Sequence, residues 1–380
     1  MICSQLLSHV HFASRTIVGV TKTKTRHESI RRSVLHHDVD DAEYDVEKEK
    51  EEGRFRLTTL DEVLATTTAA TAARGSSRPR RHCKDVVFCA PPSGFDDYAS
   101  CITEVATRLW SSSATPRQRR GSFVFTSSGV VYGDGSGGVA EEDGTTTAAI
   151  TIVNESSPTV MDMERSSGSS SSNSNSNDKS SSTNSSNDVS KNPRALRMLR
   201  AENAVLSMGG CALRLAGLYS LDRGAHNYWL EKFGGSGSSS SSSSTTTTNN
   251  DNNNYEIPPK TVPSRGDGII NLLHYEDAAS AVISALMVGP NVNSRRVFLI
   301  SDGHPLTRKQ ICTSARQHVR YDGFGMPLFI DDDDDDDGVV KTTDGGVGKG
   351  KVYDGRKSND ALQWKPKYPS FDEFMTSKTT

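Results

Sequence analysis

Short apolar, β-branched runs alternate along the chain with segments of helical periodicity. Continuous runs of this kind predict strands that are buried on both faces. Strands that alternate with helices predict an α/β fold, with a parallel sheet covered by helices on both sides. The predicted strands are Thr16–Val20, Asp85–Ala90, Phe123–Thr126, Ala212–Leu215 and Val297–Ile300. The predicted helices are Tyr98–Trp110, Ala195–Leu206 and Tyr275–Met287.

Five polar, low-complexity stretches interrupt this pattern. They contain too little apolar surface to offset the entropy of ordering, so we predict solvated, disordered insertions. The stretches are residues 38–52, 66–81, 166–190, 234–254 and 331–351. The last contains seven consecutive aspartates. We interpret these aspartates as a solvated loop and predict no metal site, because a metal cage needs ligands held at fixed geometry.

Composition and charge narrow the classes of partner. A net charge of −3 over 380 residues gives no electrostatic reason to expect nucleic acid or an anionic membrane. No apolar run approaches the roughly 18 residues that a membrane span requires. The six cysteines form no C-x-x-C pair, which indicates reduced thiols. We therefore expect a soluble intracellular protein, cytoplasmic or plastid/organellar, whose partners are small molecules.

Five motifs follow one another in a characteristic order. They are FVFTSSGVVYGD, RAENAVL, ALRLAGLYSLDRG, GIINLLHYEDAASAVISAL and LQWKPKYPSF. This set resembles the extended short-chain dehydrogenase/reductase superfamily, in particular atypical members of its NAD-dependent epimerase/dehydratase-like branch. The resemblance implies a single Rossmann-like NAD(P)-binding domain over residues 1–380. A small C-terminal substrate lobe, about 219–233 and 255–330, would close over a small molecule.

The resemblance assigns a catalytic role to Ser128, which lies four residues before Tyr132, itself a substrate-side residue. The family's general acid/base is a tyrosine with a lysine four residues later. Counting back from Glu202 puts Arg194 and Met198 at those two positions. Arginine keeps its proton near neutral pH and methionine has no charge, so the usual pair is missing. Two hypotheses stay open, an atypical oxidoreductase or epimerase-like enzyme and a non-catalytic binding or regulatory protein.

The spacing Tyr-x-x-x-Lys does occur elsewhere in the chain. We favour chance for each instance, although the second follows the RLAGLY strand and is the one that a rearranged site would recruit. The three pairs are Tyr44/Lys48 in an acidic insertion, Tyr228/Lys232, and Tyr353/Lys357 in the C-terminal tail.

Basic residues follow the TIVGV strand where NAD-binding proteins place an acidic one. Lys22, Lys24 and Arg26 would suit the 2′-phosphate of NADP, although a solvated basic loop remains an alternative. The resemblance places further cofactor contacts at Ala90, Pro91, Pro92, Thr126, Arg214 and Gly217. It places substrate contacts at Asn271 and His274, and for His274 a helix-start histidine that hydrogen-bonds the backbone is the simpler interpretation.

No strand with a glycine-rich turn precedes TIVGV. In the family that turn presents backbone N–H groups to the pyrophosphate at a helix N-terminus. We favour an absent N-terminal segment over a transit peptide in residues 1–27, which contain no Asp or Glu. On this interpretation the chain binds NADPH weakly or not at all.

Overall fold

The computed structural model describes the chain in separate ranges. These are residues 1–35, 54–65, 83–110, 121–132, 150–162, 192–235, 258–330 and 350–377, with the backbone of two strands at 139–142 and 145–148. The predicted insertions 38–52, 66–81 and 166–190 lie outside the described residues, and so do most of 234–254 and 331–351. Tyr44 and Lys48 lie outside them as well.

The elements alternate as the hydrophobic pattern predicts. The helices are α1 (Ile2–Ser8), α2 (His27–Leu35), α3 (Tyr98–Leu109), α4 (Pro193–Met208), α5 (Ala225–Phe233), α6 (Tyr275–Val288), α7 (Pro290–Asn293), α8 (Arg308–Ala315), α9 (Arg356–Leu362) and α10 (Phe371–Ser377). The strands are β1 (Ile17–Thr21), β2 (Phe55–Thr59), β3 (Val86–Phe88), β4 (Phe123–Ser128), β5 (Val139–Glu142), β6 (Thr145–Ala148), β7 (Thr151–Val153), β8 (Cys211–Leu215), β9 (Gly217–Tyr219), β10 (Thr261–Val262), β11 (Ile269–Ile270), β12 (Leu272–His274), β13 (Val297–Ile300), β14 (Leu306–Thr307), β15 (Leu328–Phe329) and β16 (Lys351–Tyr353).

The central sheet is parallel and has the strand order β13-β8-β4-β3. All five predicted strands and all three predicted core helices are confirmed within a few residues at each end. Strands β4 and β8 pair in register from Val124 with Cys211 to Ser128 with Leu215. The carboxyl ends of these two strands therefore lie side by side.

Alternate side chains of the sheet fill two different cores. Phe123 and Phe125 face one core together with α3 and α4, whereas Val124 faces the other core together with α1, α6 and α9. This alternation follows from the twofold period of a strand. The result is a layered α/β/α arrangement, as expected for a parallel sheet whose strands are apolar on both faces.

A separate β1-α2-β2 unit carries the basic loop. Strands β1 and β2 are parallel, with Ile17 paired to Phe55. Within the described part of the chain, no ladder hydrogen bonds join β1 to β3. Side chains connect the two strands instead: Arg15 pairs with Asp85 at 2.7 Å near their amino ends. At their carboxyl ends the Lys22 ammonium donates a hydrogen bond to the Gly94 carbonyl at 2.6 Å.

The C-terminal part of the chain has a core of its own. Tyr219, Phe371 and Phe374 are buried there among residues of α5, α8 and α10. Short strand pairs border this core, namely β9 with β12, β10 with β15, and β11 with β14. Strand β16 pairs in parallel with β7, so Lys351, the last residue of the predicted insertion 331–351, is in a strand.

Candidate functional site

Ser128 is the last residue of β4 and stands at the carboxyl edge of the central sheet. The partly exposed Ser128 hydroxyl accepts a hydrogen bond from the Val130 amide at 3.4 Å, inside the short helical turn Gly129–Tyr132. Open parallel sheets bind their ligands outside this edge. Ser128 is therefore placed where a ligand-orienting hydroxyl is expected.

Helix α4 carries the two positions where the resemblance leads one to expect a tyrosine and a lysine. The Asn192 side chain caps the first turn by accepting from the Ala195 amide at 3.1 Å, and Pro193 occupies the first helical position. Arg194 is exposed on this first turn, whereas Met198 is buried between α4 and its neighbours. Neither side chain supplies a phenol or an ammonium group to the Ser128 edge.

A buried ion pair lies directly behind the edge. Arg214 on β8 donates to both carboxylate oxygens of Glu202, at 2.8 to 3.2 Å, and Glu202 also accepts from the Ser127 hydroxyl at 2.5 Å. Glu202 is 1% exposed and Arg214 is 5% exposed. Burial by itself lowers the pKa of Arg214, but the hydrogen bonds and charge of Glu202 outweigh it, so the pKa is raised. The guanidinium stays charged, and the pair ties α4 to the sheet.

Tyr132 lies beneath this pair rather than on the surface. The Arg214 Cζ atom is 4.7 Å from the centroid of the Tyr132 ring, and Tyr132 is 1% exposed. Neither Tyr132 Oη nor Arg214 Nη1 has a hydrogen-bond partner among the described residues. Burial raises the pKa of Tyr132 although Arg214 opposes the shift, so the phenol is neutral at physiological pH. The structure places Tyr132 in the wall behind the site.

Tyr353, which the sequence places in the C-terminal tail, lies beside the turn that follows Ser128 in the structure. A Cβ atom at position 129 would collide with Tyr353 Oη and would lie 2.5 Å from its Cζ atom. The phenol therefore lies directly on Gly129, the residue after Ser128. The available signal was the spacing to Lys357, which is exposed on α9.

Asn271, predicted as a substrate residue, holds β16 in place. Its amide nitrogen donates to the Lys351 carbonyl at 2.6 Å, and its amide oxygen accepts from the Tyr353 amide at 2.8 Å. Both polar atoms of Asn271 are thus engaged with the backbone on either side of Val352. Asn271 therefore fixes the backbone of β16 at Lys351 and at Tyr353.

The predicted cofactor residues line the same edge further toward β1. The Lys22 ammonium lies 5.8 Å from the centroid of the Phe95 ring and contacts the loop that follows Ala90, Pro91 and Pro92. The Ala90 carbonyl accepts from the Tyr98 hydroxyl at 2.5 Å, which fixes the start of that loop.

Thr126 and Gly217 lie closer to the centre of the edge. The Thr126 hydroxyl donates across to the Phe88 carbonyl at 3.5 Å. The Gly217 amide donates to the Asn271 carbonyl at 2.9 Å, and a Cβ atom at 217 would lie 3.1 Å from that oxygen. A glycine is thus favoured where β9 approaches the segment that clamps β16.

The described residues fit a dinucleotide at its two ends and not at its middle. The basic loop after β1 suits an adenosine 2′-phosphate, and the Ser128 edge suits a ring with a reacting carbon. A pyrophosphate needs a close backbone approach at a helix N-terminus. In the described ranges, the glycines with positive φ all lie at residue 209 or beyond, and none opens a helix beside β1.

His274 caps a helix, as the simpler interpretation predicts. Its Nδ1 atom accepts from the Glu276 amide at 3.2 Å at the start of α6, and the residue is 4% exposed. The ring packs against Tyr368 and Phe374, with centroids 4.1 and 4.6 Å away. Asn271 and His274 are therefore both engaged in holding the C-terminal segments.

Tyr228 and Lys232, the recruitable pair, lie on the surface of α5. The Lys232 ammonium donates to the Tyr228 hydroxyl at 2.9 Å, and Tyr228 is 52% exposed. The Tyr228 ring packs edge-on against Phe233, on the same helix. No contact in the described structure links this pair to Ser128.

A buried carboxyl group follows β13 and was not found from the sequence. Asp302 is 6% exposed; its Oδ1 atom accepts from the His304 amide at 2.9 Å, and its Oδ2 atom has no hydrogen-bond partner among the described residues. Burial raises the pKa of Asp302 to about 8, and the charges of Asp277 and Asp372 add to the shift. Asp302 is therefore protonated over most of the physiological range.

The described residues contain no group of three or more His, Cys, Asp or Glu side chains arranged to hold a metal ion. Nor is any helix within those ranges long and apolar enough to cross a membrane. The aspartate run 331–337 lies outside the described residues.

The architecture is that of a Rossmann-like α/β protein, with its candidate site at the carboxyl edge of the sheet. No protein-family model matches the sequence, and a search among curated proteins finds no match. Similarity is found among solved structures, at the level of the fold.

UDP-glucuronic acid 4-epimerase from Bacillus cereus, in complex with NAD, superposes with a TM-score of 0.54 at 12% identity and covers 100% of this chain and 92% of its own. dTDP-glucose 4,6-dehydratase from Bacillus anthracis, also with NAD, gives 0.52 at 11% identity, over 100% and 92%. UDP-glucose 4-epimerase from Thermotoga maritima gives 0.51 at 13% identity, over 100% and 94%. At these identities the likeness establishes a shared fold.

Proposed function

We propose that the chain is an atypical NAD(P)-binding oxidoreductase or epimerase-like protein that acts on a small molecule. The observation that carries this proposal is the position of Ser128, a partly exposed hydroxyl at the carboxyl end of β4. It lies in front of the buried Glu202–Arg214 pair, in a fold shared with NAD-bound epimerases and dehydratases. The site is atypical because Arg194 and Met198 stand where the resemblance expects an acid/base pair.

The basic loop after β1 favours NADP over NAD. Lys22, Lys24 and Arg26 are all exposed between the carboxyl end of β1 and the start of α2. Hydrogen bonds to charged groups contribute about 1.5–3 kcal/mol each, so two such contacts to a 2′-phosphate would amount to more than a tenfold preference. Because the described residues provide no pyrophosphate turn, we expect weak binding with this preference retained.

The test is a calorimetric titration of NADPH and NADH into the wild type and into Lys22→Met/Arg26→Met. We expect NADPH to bind more tightly than NADH, and the double variant to lower the affinity for NADPH alone. Arg32→Met is the matched control, because Arg32 is an exposed cation on α2 that pairs with Glu28. Equal or tighter binding of NADH, or a double variant that behaves as the wild type, contradicts the preference for NADP.

A second candidate function is a non-catalytic nucleotide-binding or regulatory protein. The observation that favours it is that Arg194 is exposed and Met198 is buried, so that neither position supplies a phenol or an ammonium group to the site. The two functions differ in turnover. Oxidation of bound NADPH by an added carbonyl compound supports the enzyme, whereas tight binding without turnover supports the binding protein.

A further inference from the structure

Residues 364–377, which we call the strap, lie across the ends of strands β9 and β12. The strap residues Phe371 and Phe374 pack edge-on against Tyr219, with ring centroids 5.0 and 5.5 Å from the centroid of that ring. Phe374 also packs against His274, whose ring centroid is 4.6 Å away. The strap therefore covers the core of the C-terminal part of the chain.

Two carboxyl groups hold the strap in addition to these aromatic contacts. Asp277, in the first turn of α6, accepts hydrogen bonds from the backbone amides of Lys367 and Tyr368 at 2.7 and 3.0 Å. Asp372, on the strap itself, accepts a hydrogen bond from the Ser314 hydroxyl of α8. The strap is thus docked beside a group of acidic side chains.

Two buried polar atoms near this contact have no hydrogen-bond partner among the described residues. They are Asp302 Oδ2 and Tyr219 Oη. Asp302 is 6% exposed and Tyr219 is fully buried. The Asp302 amide donates to the Leu272 carbonyl at 2.9 Å, which fixes the residue beside β12. A carboxylate at this position lacks both water and a partner for one oxygen, so its charged form is disfavoured.

The groups that face Asp302 come from four parts of the chain. They are Asp277 on α6, Asp372 on the strap, Tyr219 on β9, and His304, whose amide donates to Asp302 Oδ1 at 2.9 Å. Burial raises the pKa of Asp302 to about 8; the His304 amide opposes this shift, and the charges of Asp277 and Asp372 add to it. Ionisation of Asp302 therefore places a third carboxylate charge beside the two that hold the strap.

We propose that the Asp302 carboxyl group is a proton-controlled switch for the strap: its neutral form keeps residues 364–377 docked, and its ionisation releases them. Release moves the charge of Asp372 away from Asp302 and admits water, which hydrogen-bonds the oxygen that lacks a partner. The docked form binds the proton and the released form gives it to solvent. The strap opens as the pH rises, while the central sheet stays folded.

The pH range of this switch follows from proton linkage. With the strap released, Asp302 is in water and titrates near pH 4, the ordinary value of about 3.9 for an aspartate. With the strap docked, its pKa is about 8. Between these values the docked form binds more protons, so each pH unit should raise the equilibrium constant for opening by about tenfold. Between pH 5 and pH 8 the constant should rise by up to about 10³-fold, and it should level off at higher pH.

Hydrogen exchange measured residue by residue tests this switch in the full chain. Protection factors, corrected for the intrinsic pH dependence of exchange, are compared between the strap helix α10 and strand β4 from pH 5 to pH 8. In the wild type the Phe374 amide, which donates to the Ser370 carbonyl, should lose protection by about tenfold per pH unit. It should stay less protected than the Phe125 amide of β4, because opening of the strap leaves the sheet intact. In Asp302→Asn the protection of Phe374 should not change with pH, since asparagine does not ionise.

Two neighbouring exposed carboxylates on α10 provide a matched pair of variants. Asp372→Asn removes a charge that acts on Asp302 and should raise the protection of Phe374 at pH 8, by a smaller factor than Asp302→Asn does. Glu373→Gln should match the wild type. Wild-type protection that does not depend on pH, or a pH dependence that persists in Asp302→Asn, would overturn the proposal. Equal protection of the strap and of β4 would also overturn it, because Asp302 would then ionise only when the whole protein unfolds.

Discussion

Replacing Asp302 with asparagine should stabilise the protein at neutral pH, although the aspartate is buried and hydrogen-bonded. The carboxyl group follows β13, where one oxygen accepts from the His304 amide and the other has no partner among the described residues. Burial raises the pKa of Asp302 to about 8. Asparagine has nearly the shape of the protonated acid but does not ionise, so it keeps the acceptor without the charge.

The size of the effect follows from proton linkage. Between pH about 4, where the unfolded aspartate titrates, and pH about 8, the folded protein binds more protons at this site than the unfolded chain does. Its contribution to the unfolding free energy therefore falls as pH rises through this window. At 1.36 kcal/mol per pH unit, the loss by pH 7 amounts to about 4 kcal/mol. Asp302→Asn should recover up to this amount at pH 7 and almost nothing at pH 4.

Urea denaturation gives the unfolding free energy of the wild type and of Asp302→Asn at each pH between 4 and 8. The difference between the two curves then measures the contribution of the Asp302 carboxyl group. Asp322→Asn is the control, since Asp322 is exposed. Stability curves of wild type and Asp302→Asn that run parallel over this range would refute the reasoning, as would an asparagine variant that is less stable at pH 7.

Three further predictions concern residues around the candidate site. Glu202→Gln leaves Arg214 charged and buried, so it should lower the unfolding free energy by about 3–5 kcal/mol, and Glu202→Met/Arg214→Met should recover part of this in the same denaturation assay. Full stability in Glu202→Gln would contradict the buried pair. Met198→Lys should lower the unfolding free energy by several kcal/mol, because it buries an ammonium group. Arg194→Tyr, at an exposed position, should change the unfolding free energy by less than about 0.5 kcal/mol. Similar effects of the two substitutions would contradict the placement of α4. Asn271→Ala removes both side-chain hydrogen bonds to β16 and should lower the unfolding free energy by about 1–3 kcal/mol. Hydrogen exchange at the Tyr353 amide should become faster. Unchanged exchange would show that pairing with β7 alone holds the strand.

The core of the fold was predictable because its strands carry their own signal. Phe123–Thr126, Ala212–Leu215 and Val297–Ile300 are continuous apolar runs, and each is a strand of the central sheet. Strand β2 was missed, because Phe55–Thr59 mixes apolar and polar residues and faces the core on one side only. Its identity as a strand depends on pairing with β1, which no local pattern reports.

The site was predictable only where one motif carries it. Ser128 lies at the strand end, as the FVFTSSG run indicates. The hydrogen bond from Ser127 to Glu202 was not predicted from the sequence. Tyr353 was set aside because its spacing to Lys357 was attributed to chance in the C-terminal tail. Its position depends on Asn271 and on β7, which are distant in sequence, and on the absence of a side chain at Gly129. Contacts between residues that are distant in sequence leave no periodic pattern of apolar and polar residues.

The most direct test is an experimental structure of the full chain with millimolar NADPH, by crystallography or electron cryomicroscopy. We predict nucleotide density along the carboxyl edge, with the adenosine end beside the Lys22–Arg26 loop and the nicotinamide end beside Ser128. A nucleotide bound elsewhere, or an empty edge at that concentration, would contradict the proposed function.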